Sequence, residues 1–197
     1  MNLALIATVF AVIAVAELPD KTMIATLVMG SRSRPVLVWI GASAAFAVHV
    51  TVAVVAGHLL TLLPHRAVEI VVTVLFLAGA AYLLFVPEKK EEEKGEAEAA
   101  SVASPAGFGV VVTAFGVILI GEIGDLTQLL TVNLAAKYHQ PLSVFIGALA
   151  ALMSVAALGA FGGRALLRIL PVGVIRRIGG LVLVGFAAYS IYSLVHS

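Results

Sequence analysis

The chain has 197 residues, of which 61% are hydrophobic and 12% are charged, and its mean hydropathy is +1.12. This apolar content exceeds what the core of a soluble domain needs, so the composition predicts an all-α membrane protein with several spans. The absence of cysteine excludes a disulfide framework and thiolate metal ligands. A net charge of +1 gives no indication of a nucleic-acid partner.

Six apolar segments are long enough to cross the hydrocarbon core of a bilayer, at about 20 residues each. In chain order they lie at 3–29, 35–60, 66–86, 107–135, 141–164 and 174–195. The first and fourth segments contain charged residues, and we expect both to be broken helices. The segment 88–105 is charged and of low complexity, which predicts a solvated linker. The chain then divides into a first three-helix repeat (1–87), the linker (88–105) and a second three-helix repeat (106–197).

The distribution of Lys and Arg predicts the orientation of the chain. Nine of these residues lie on the side of the first, third and fifth loops, and only Arg66 and Lys137 lie on the other side. Because cytoplasmic loops carry an excess of Lys and Arg, the linker should be cytoplasmic and both termini should lie outside the cytoplasm. The predicted location is the cell (inner) membrane.

The two halves of the chain repeat each other. Four polar residues recur at a constant offset of 105: Glu17, Asp20, Thr22 and Thr26 correspond to Glu122, Asp125, Thr127 and Thr131. One residue later in register, IGASAAF at 40–46 corresponds to IGALAAL at 146–152. An odd number of spans in each half gives the second copy the opposite orientation, so the sequence predicts two inverted three-helix repeats whose polar residues meet near the bilayer midplane.

The stretches AELPDKTM (16–23) and GEIGDLTQ (121–128) place four carboxylates deep inside apolar spans. An ionised side chain at that depth costs at least ~2.5–3.5 kcal/mol, which indicates a function. Side chains at i and i+3 share one face of a helix, so each stretch should present its Glu and Asp as a pair. The candidate metal ligands are Glu17, Asp20, Glu122 and Asp125, with Thr22, Thr127 and Gln128 as a second choice. Such an all-oxygen set suits a hard divalent cation, although hydrogen bonding that only holds helices together is the alternative.

Three further residues are candidate modulators of this site. Lys21 follows Glu17 by four residues, so we expect the two to pair; the lysine either lowers the charge of the empty site or competes with the ion. Met23 offers a thioether where the second stretch has Gln128. His49 is either a hydrogen-bonded core residue or a proton relay or ligand. Pro19 removes a helical hydrogen bond, whose freed carbonyls are additional candidate ligands.

Two copies of the pattern Glu-x-Gly-Asp-(Lys/Arg)-(Thr/Ser) in six spans resemble the Gdt-type family of cation/proton exchangers. That family includes bacterial manganese exporters and Golgi or chloroplast transporters of manganese and calcium. The resemblance extends over nearly the whole chain, and it implies that Glu17, Asp20, Glu122 and Asp125 bind the ion. The chain departs from the family pattern at Pro19, Met23 and Leu126. These departures bear on ion selectivity more than on ion binding.

The function that we predict is export of a divalent cation in exchange for protons, with Mn²⁺ favoured and Ca²⁺ as the alternative. The expected partners are the ion, protons and the lipid bilayer; no tightly bound cofactor is expected, and a homodimer is compatible with the sequence. One alternative function is export of a small cationic organic solute such as an amino acid. Another is an intramembrane acid/base enzyme, but it would need unlike roles for two stretches that are near copies. We therefore do not expect an enzyme.

Overall fold

The computed structural model describes residues 1–18, 20–60, 62, 64–85, 93–94, 96–97, 99, 107–169 and 172–196. Within these ranges the chain forms helices and no strands, which confirms the predicted all-α class. The helices of 12 residues or more are α1 (Leu3–Glu17), α2 (Lys21–Arg32), α3 (Pro35–Leu60), α4 (His65–Phe85), α5 (Phe108–Gly121), α6 (Leu126–Tyr138), α7 (Pro141–Ile169) and α8 (Val172–His196). Most of the predicted linker 88–105, and Pro19 with its predicted effect, lie outside the described residues.

Each of the two charged stretches interrupts a helix. The axes of α1 and α2 differ by 73°, and those of α5 and α6 differ by 72°. Gly124, with φ of +75°, lies in the second break, where a left-handed backbone favours glycine. The first and fourth predicted segments are therefore broken helices, as expected.

The helices differ in whether they can cross a bilayer alone. By length and composition, Pro35–Leu60 in α3 and Pro141–Gly162 in α7 are each long and apolar enough to do so. Each bent pair adds one candidate span, so the described residues contain up to four. The apolar parts of α4 and α8, Ile70–Phe85 and Gly180–Tyr192, are shorter. The four candidate spans among the described residues are fewer than the six spans predicted from the sequence.

The long helices α3 and α7 form the centre of the bundle. Helix α3 packs against α5, α6 and α7, while α7 packs against α1, α2 and α3. Glycines allow the closest approaches: a Cβ atom added to Gly147 on α7 would lie 2.7 Å from the carbonyl oxygen of Ile6 on α1. A Cβ atom added to Gly41 on α3 would clash with the carbonyl oxygen of Val111 on α5. The small residues of the repeated stretches at 40–46 and 146–152 thus allow close helix packing.

Polar contacts connect helices through the apolar interior. The indole nitrogen of Trp39 on α3 donates to the carbonyl oxygen of Met153 on α7 at 2.9 Å. On the other side of the bundle, α4 packs against α8, with Phe76 and Phe186 stacked at 5.3 Å between ring centroids. Because α3 belongs to the first half of the chain and α7 to the second, the Trp39 contact joins the two halves directly.

Candidate cation site

The carboxylates lie at the two helix breaks rather than along helix faces. Glu17 is the last residue of α1, and Asp20 is the N-cap of α2. In the second half, Glu122 is the C-cap of α5 and Asp125 is the N-cap of α6. The prediction that each pair shares the face of one helix is therefore wrong, because that spacing rule applies only within a continuous helix.

Three of the four carboxylates converge. Glu17, Asp20 and Asp125 can each offer one oxygen such that all three oxygens lie within 4.8 Å of one another. Glu17 is fully buried, and neither of its carboxylate oxygens has a hydrogen-bond partner among the described residues. A buried carboxylate of this kind is costly unless a cation or a proton accompanies it. We call these three residues the carboxylate triad.

Glu122 lies beside the carboxylate triad but is held differently. Its side chain is 2% exposed and accepts a hydrogen bond from the hydroxyl of Thr22, across the two halves of the chain. It also accepts one from the hydroxyl of Thr127 at 3.3 Å. The structure thus separates the four predicted ligands into three that converge and one that is bound by two hydroxyls. Both hydroxyls, predicted as second-choice ligands, contact Glu122.

Lys21 pairs across the halves instead of along its own helix. Its ammonium nitrogen lies 3.1 Å from Oδ1 of Asp125, and the two side chains are 11% and 13% exposed. The predicted pairing of Lys21 with Glu17 was therefore wrong. Because the chain bends between α1 and α2, the four-residue spacing no longer brings these two side chains together. Lys21 is therefore a cation bound to one member of the carboxylate triad.

The remaining predicted residues lie around the second break. The amide oxygen of Gln128 accepts from the backbone N–H of Gly124 at 2.8 Å, and its nitrogen lies 3.4 Å from Nδ1 of His49. Nε2 of His49 lies 2.9 Å from the carbonyl oxygen of Leu119. Met23 is fully buried. Among the described residues, His49 is thus a hydrogen-bonded histidine next to the break, and its predicted role as a relay or ligand stays untested.

Two features of the site were not predicted from the sequence. Thr26 and Thr131 donate their hydroxyls to the carbonyls of Thr22 and Thr127 at 3.0 and 2.7 Å, one turn after each break. The second is the Lys21–Asp125 pair. Leu126 stands in the second half where Lys21 stands in the first, so the sequence shows one lysine for two acidic stretches but does not show which carboxylate it binds.

The surface of the bundle is that of a membrane protein. Along α3, the apolar side chains of Val48, Val52, Val55 and Leu59 are between 44% and 57% exposed. A continuous apolar face of this kind suits lipid contact. A membrane protein with broken helices and buried carboxylates at the breaks has the features of a transporter for a charged solute.

Comparison with known proteins identifies the class more narrowly. A model of the divalent cation/proton antiporter GDT1 family matches residues 5–91 and 110–197. The chain belongs to this family. It is therefore a transporter rather than an enzyme, as predicted, and the predicted family resemblance is confirmed.

Individual relatives agree with this assignment. The chain is 29% identical over 190 residues to a GDT1-like protein of Synechocystis sp., with 90% of this chain and 92% of that protein covered. It is 29% identical over 211 residues to the chloroplastic protein PAM71 of Arabidopsis thaliana, with 96% of this chain but 57% of that protein covered. A chloroplastic GDT1-like protein 1 of Oryza sativa subsp. indica is 28% identical, with 97% of this chain and 62% of that protein covered. No solved structure matches the chain significantly.

Proposed function

We propose that the protein exports Mn²⁺ in exchange for protons and that the carboxylate triad of Glu17, Asp20 and Asp125 binds the ion. The observation that carries this proposal is the convergence of three carboxylate oxygens within 4.8 Å. Ligand oxygens lie about 2.3–2.6 Å from Ca²⁺, so oxygens on opposite sides of an ion of this size are about 5 Å apart. The spacing of the carboxylate triad is therefore suited to one divalent cation. Ca²⁺ is the alternative cargo.

The charges in the site support coupling to protons. If all four carboxylates are ionised and Lys21 is charged, the buried group has a net charge of −3. Like charges so close together in a medium of low dielectric repel strongly, so the ion-free site should hold protons on part of the carboxylates. A divalent cation supplies positive charge and displaces those protons.

Repeated contacts support an inverted repeat. Gly41 on α3 approaches the carbonyl of Val111 on α5, and Gly147 on α7 approaches the carbonyl of Ile6 on α1. The glycines are 106 residues apart and the carbonyls 105, which matches the offsets in the sequence. The same contact is therefore made twice, with the halves exchanged. Together with two bends of nearly equal angle, this favours six spans in two inverted three-helix repeats. We retain the predicted orientation, with the linker cytoplasmic and both termini outside.

An organic cation is a poorer fit to the site. The cavity lined by Phe46, His49, Gln128 and the fourth carboxylate, Glu122, has a volume of about 10 Å³, enough for one water molecule but not for an amino acid. A substrate of that size would need a cavity of a few hundred Å³. The part of the chain that the structure describes offers no specific observation in favour of this second candidate.

Flux into proteoliposomes tests the proposal. The purified chain should carry Mn²⁺ under an imposed pH gradient, with Ca²⁺ and Mg²⁺ compared at equal concentration and proton movement recorded with a pH-sensitive dye. Glu17→Gln should abolish exchange, whereas the same change at the exposed linker residue Glu93 is the matched control. Flux of Mn²⁺ without proton movement would refute antiport. Equal flux in wild type and Glu17→Gln would refute the site.

A further inference from the structure

A chain of three hydrogen bonds spans the second helix break. The N–H of Gly124 donates to the amide oxygen of Gln128 at 2.8 Å. The amide nitrogen of Gln128 lies 3.4 Å from Nδ1 of His49, and Nε2 of His49 lies 2.9 Å from the carbonyl oxygen of Leu119. This series of hydrogen bonds begins inside the break, includes the side chain of His49 on α3, and ends at the last turn of α5. We call His49 and Gln128 together the strap.

The donor and the acceptor of each hydrogen bond follow from the two backbone groups at the ends of the series, since an N–H can only donate and a carbonyl oxygen can only accept. Because Gly124 donates its N–H, the group of Gln128 that faces it is the oxygen, and the nitrogen of Gln128 is a donor toward His49. Nδ1 of His49 is then an acceptor, and Nε2 carries the hydrogen donated to Leu119. Donors and acceptors are therefore consistent along the whole strap, in the neutral form of the histidine.

The strap binds backbone groups that a helix end leaves without partners. The last four carbonyls of an α-helix have no partner within the helix, and Leu119 is one of them in α5. Gln128 is the third residue of α6 and reaches back over the start of that helix, much as the third residue does in a capping box. His49 is the only polar side chain among the buried residues of α3, which the structure describes in full. Helix α3 thus holds both sides of the second break.

The described residues of the first half show no such arrangement. By the repeat offsets, Val155 corresponds to His49 and Met23 to Gln128, and both are buried apolar residues. Ala14 corresponds to Leu119, and its carbonyl oxygen instead accepts from the N–H of Leu18 at 3.0 Å. Proline at position 19 replaces Gly124, and a proline has no backbone N–H for a glutamine to bind. The departures at Pro19 and Met23 therefore have the same consequence: the first half lacks both the backbone N–H and the amide side chain that form the Gly124–Gln128 hydrogen bond.

We propose that His49 is a positioning residue that, through Gln128, fixes the second break to α3, so that the two acidic stretches have unequal mechanical roles. Asp125 is then the fixed member of the carboxylate triad, with Glu122 beside it at the same break. Glu17 and Asp20, at the first break, are the members that adjust around the ion. This inference rests on the proposed function for its effect on Mn²⁺, but the strap itself is measurable without transport.

A double-mutant cycle tests the strap. The variants are His49→Leu, Gln128→Met and the two together, which introduce apolar side chains like those of the first half. Each single variant should weaken Mn²⁺ binding about three- to tenfold, the range expected for one lost hydrogen bond. The double variant should be no weaker than the worse single variant, since both break the same strap. His49→Gln keeps a donor and an acceptor and should restore most of the affinity. Val52→Ala, at a residue of α3 that is 53% exposed, is the control.

Amide hydrogen exchange gives the second readout, in detergent and without metal. Exchange in the segment 119–129 should be faster in His49→Leu than in wild type, whereas exchange in the segment 14–24 should not change. Unchanged exchange at 119–129, a double variant equal to the product of the single effects, or a His49→Gln variant as weak as His49→Leu would each overturn the strap. If wild type neither binds nor carries Mn²⁺, the proposed function fails, and the exchange result alone decides on the strap.

Discussion

Replacing Lys21 by methionine tests whether the ammonium group of Lys21 competes with the ion for Asp125. The ammonium nitrogen of Lys21 lies 3.1 Å from Asp125, and both side chains are nearly buried. An ion that takes one oxygen from each of the three members of the carboxylate triad competes with this ammonium for Asp125. Methionine has a similar length and no charge, so Lys21→Met removes the competitor without opening a large cavity.

The size of the effect follows from the contact. A hydrogen bond to a charged group contributes about 1.5–3 kcal/mol net, much less than the gross Coulomb attraction at this distance. Since about 1.4 kcal/mol corresponds to a tenfold change, Lys21→Met should bind Mn²⁺ roughly ten- to a hundredfold more tightly than wild type. Turnover should fall, because release of a tightly bound ion becomes slow.

The assay combines binding with transport. Isothermal titration of detergent-solubilised protein gives the Kd for Mn²⁺, and flux in proteoliposomes gives kcat and KM for the same variants. Lys21→Arg keeps the charge and should resemble wild type in Kd. Leu126→Met makes the matched change at the corresponding position of the second half and should leave Kd unaltered. If Lys21→Met binds Mn²⁺ with the wild-type Kd or more weakly, Lys21 does not compete with the ion, and the reasoning fails.

Three further outcomes are expected. Glu17→Gln should weaken Mn²⁺ binding more than Glu122→Gln does, because Glu17 belongs to the carboxylate triad while Glu122 is already bound by two hydroxyls; equal losses in Kd would contradict this division. Mn²⁺ binding to wild type should weaken as pH falls from about 8 to about 5.5, since protons compete for the same carboxylates, and a Kd that is constant over this range would exclude competition. Gly147→Val should lower the free energy of unfolding by about 1–3 kcal/mol through overpacking against Ile6, whereas the same change at Gly116, which has open space around it, is the control in a thermal unfolding assay.

The residues of the candidate site could be chosen from the sequence, whereas their arrangement could not; that they bind an ion stays a prediction. Repeated acidic stretches in apolar surroundings pointed to Glu17, Asp20, Glu122 and Asp125 because burial of charge is costly wherever it occurs. The pairing of Lys21 could not be obtained in this way, because spacing rules assume a continuous helix and both helices break at the motif. The positive φ of Gly124 marks the second break, but glycine alone in a sequence does not reveal the direction in which the chain turns.

The fold was predictable in its long apolar helices but not in the contacts between its halves. Apolar length identified α3 and α7, the two helices that the structure also finds long enough to cross a bilayer alone. The difference between Glu122 and the carboxylate triad was not predictable, because the two stretches are near copies. It depends on which hydroxyls reach across the halves, and Thr22 contacts Glu122 over 100 residues of sequence. Contacts of this range arise from packing that no local pattern encodes.

The position of Trp39 gives the protein an intrinsic optical reporter. The chain contains a single tryptophan, and its indole N–H binds the carbonyl of Met153 where the two halves meet. Indole emission shifts in wavelength when that hydrogen bond or the polarity around the ring changes. All tryptophan fluorescence of the unlabelled protein therefore comes from one seam between α3 and α7, and a movement of one half against the other can be followed in real time without introducing a dye or a cysteine.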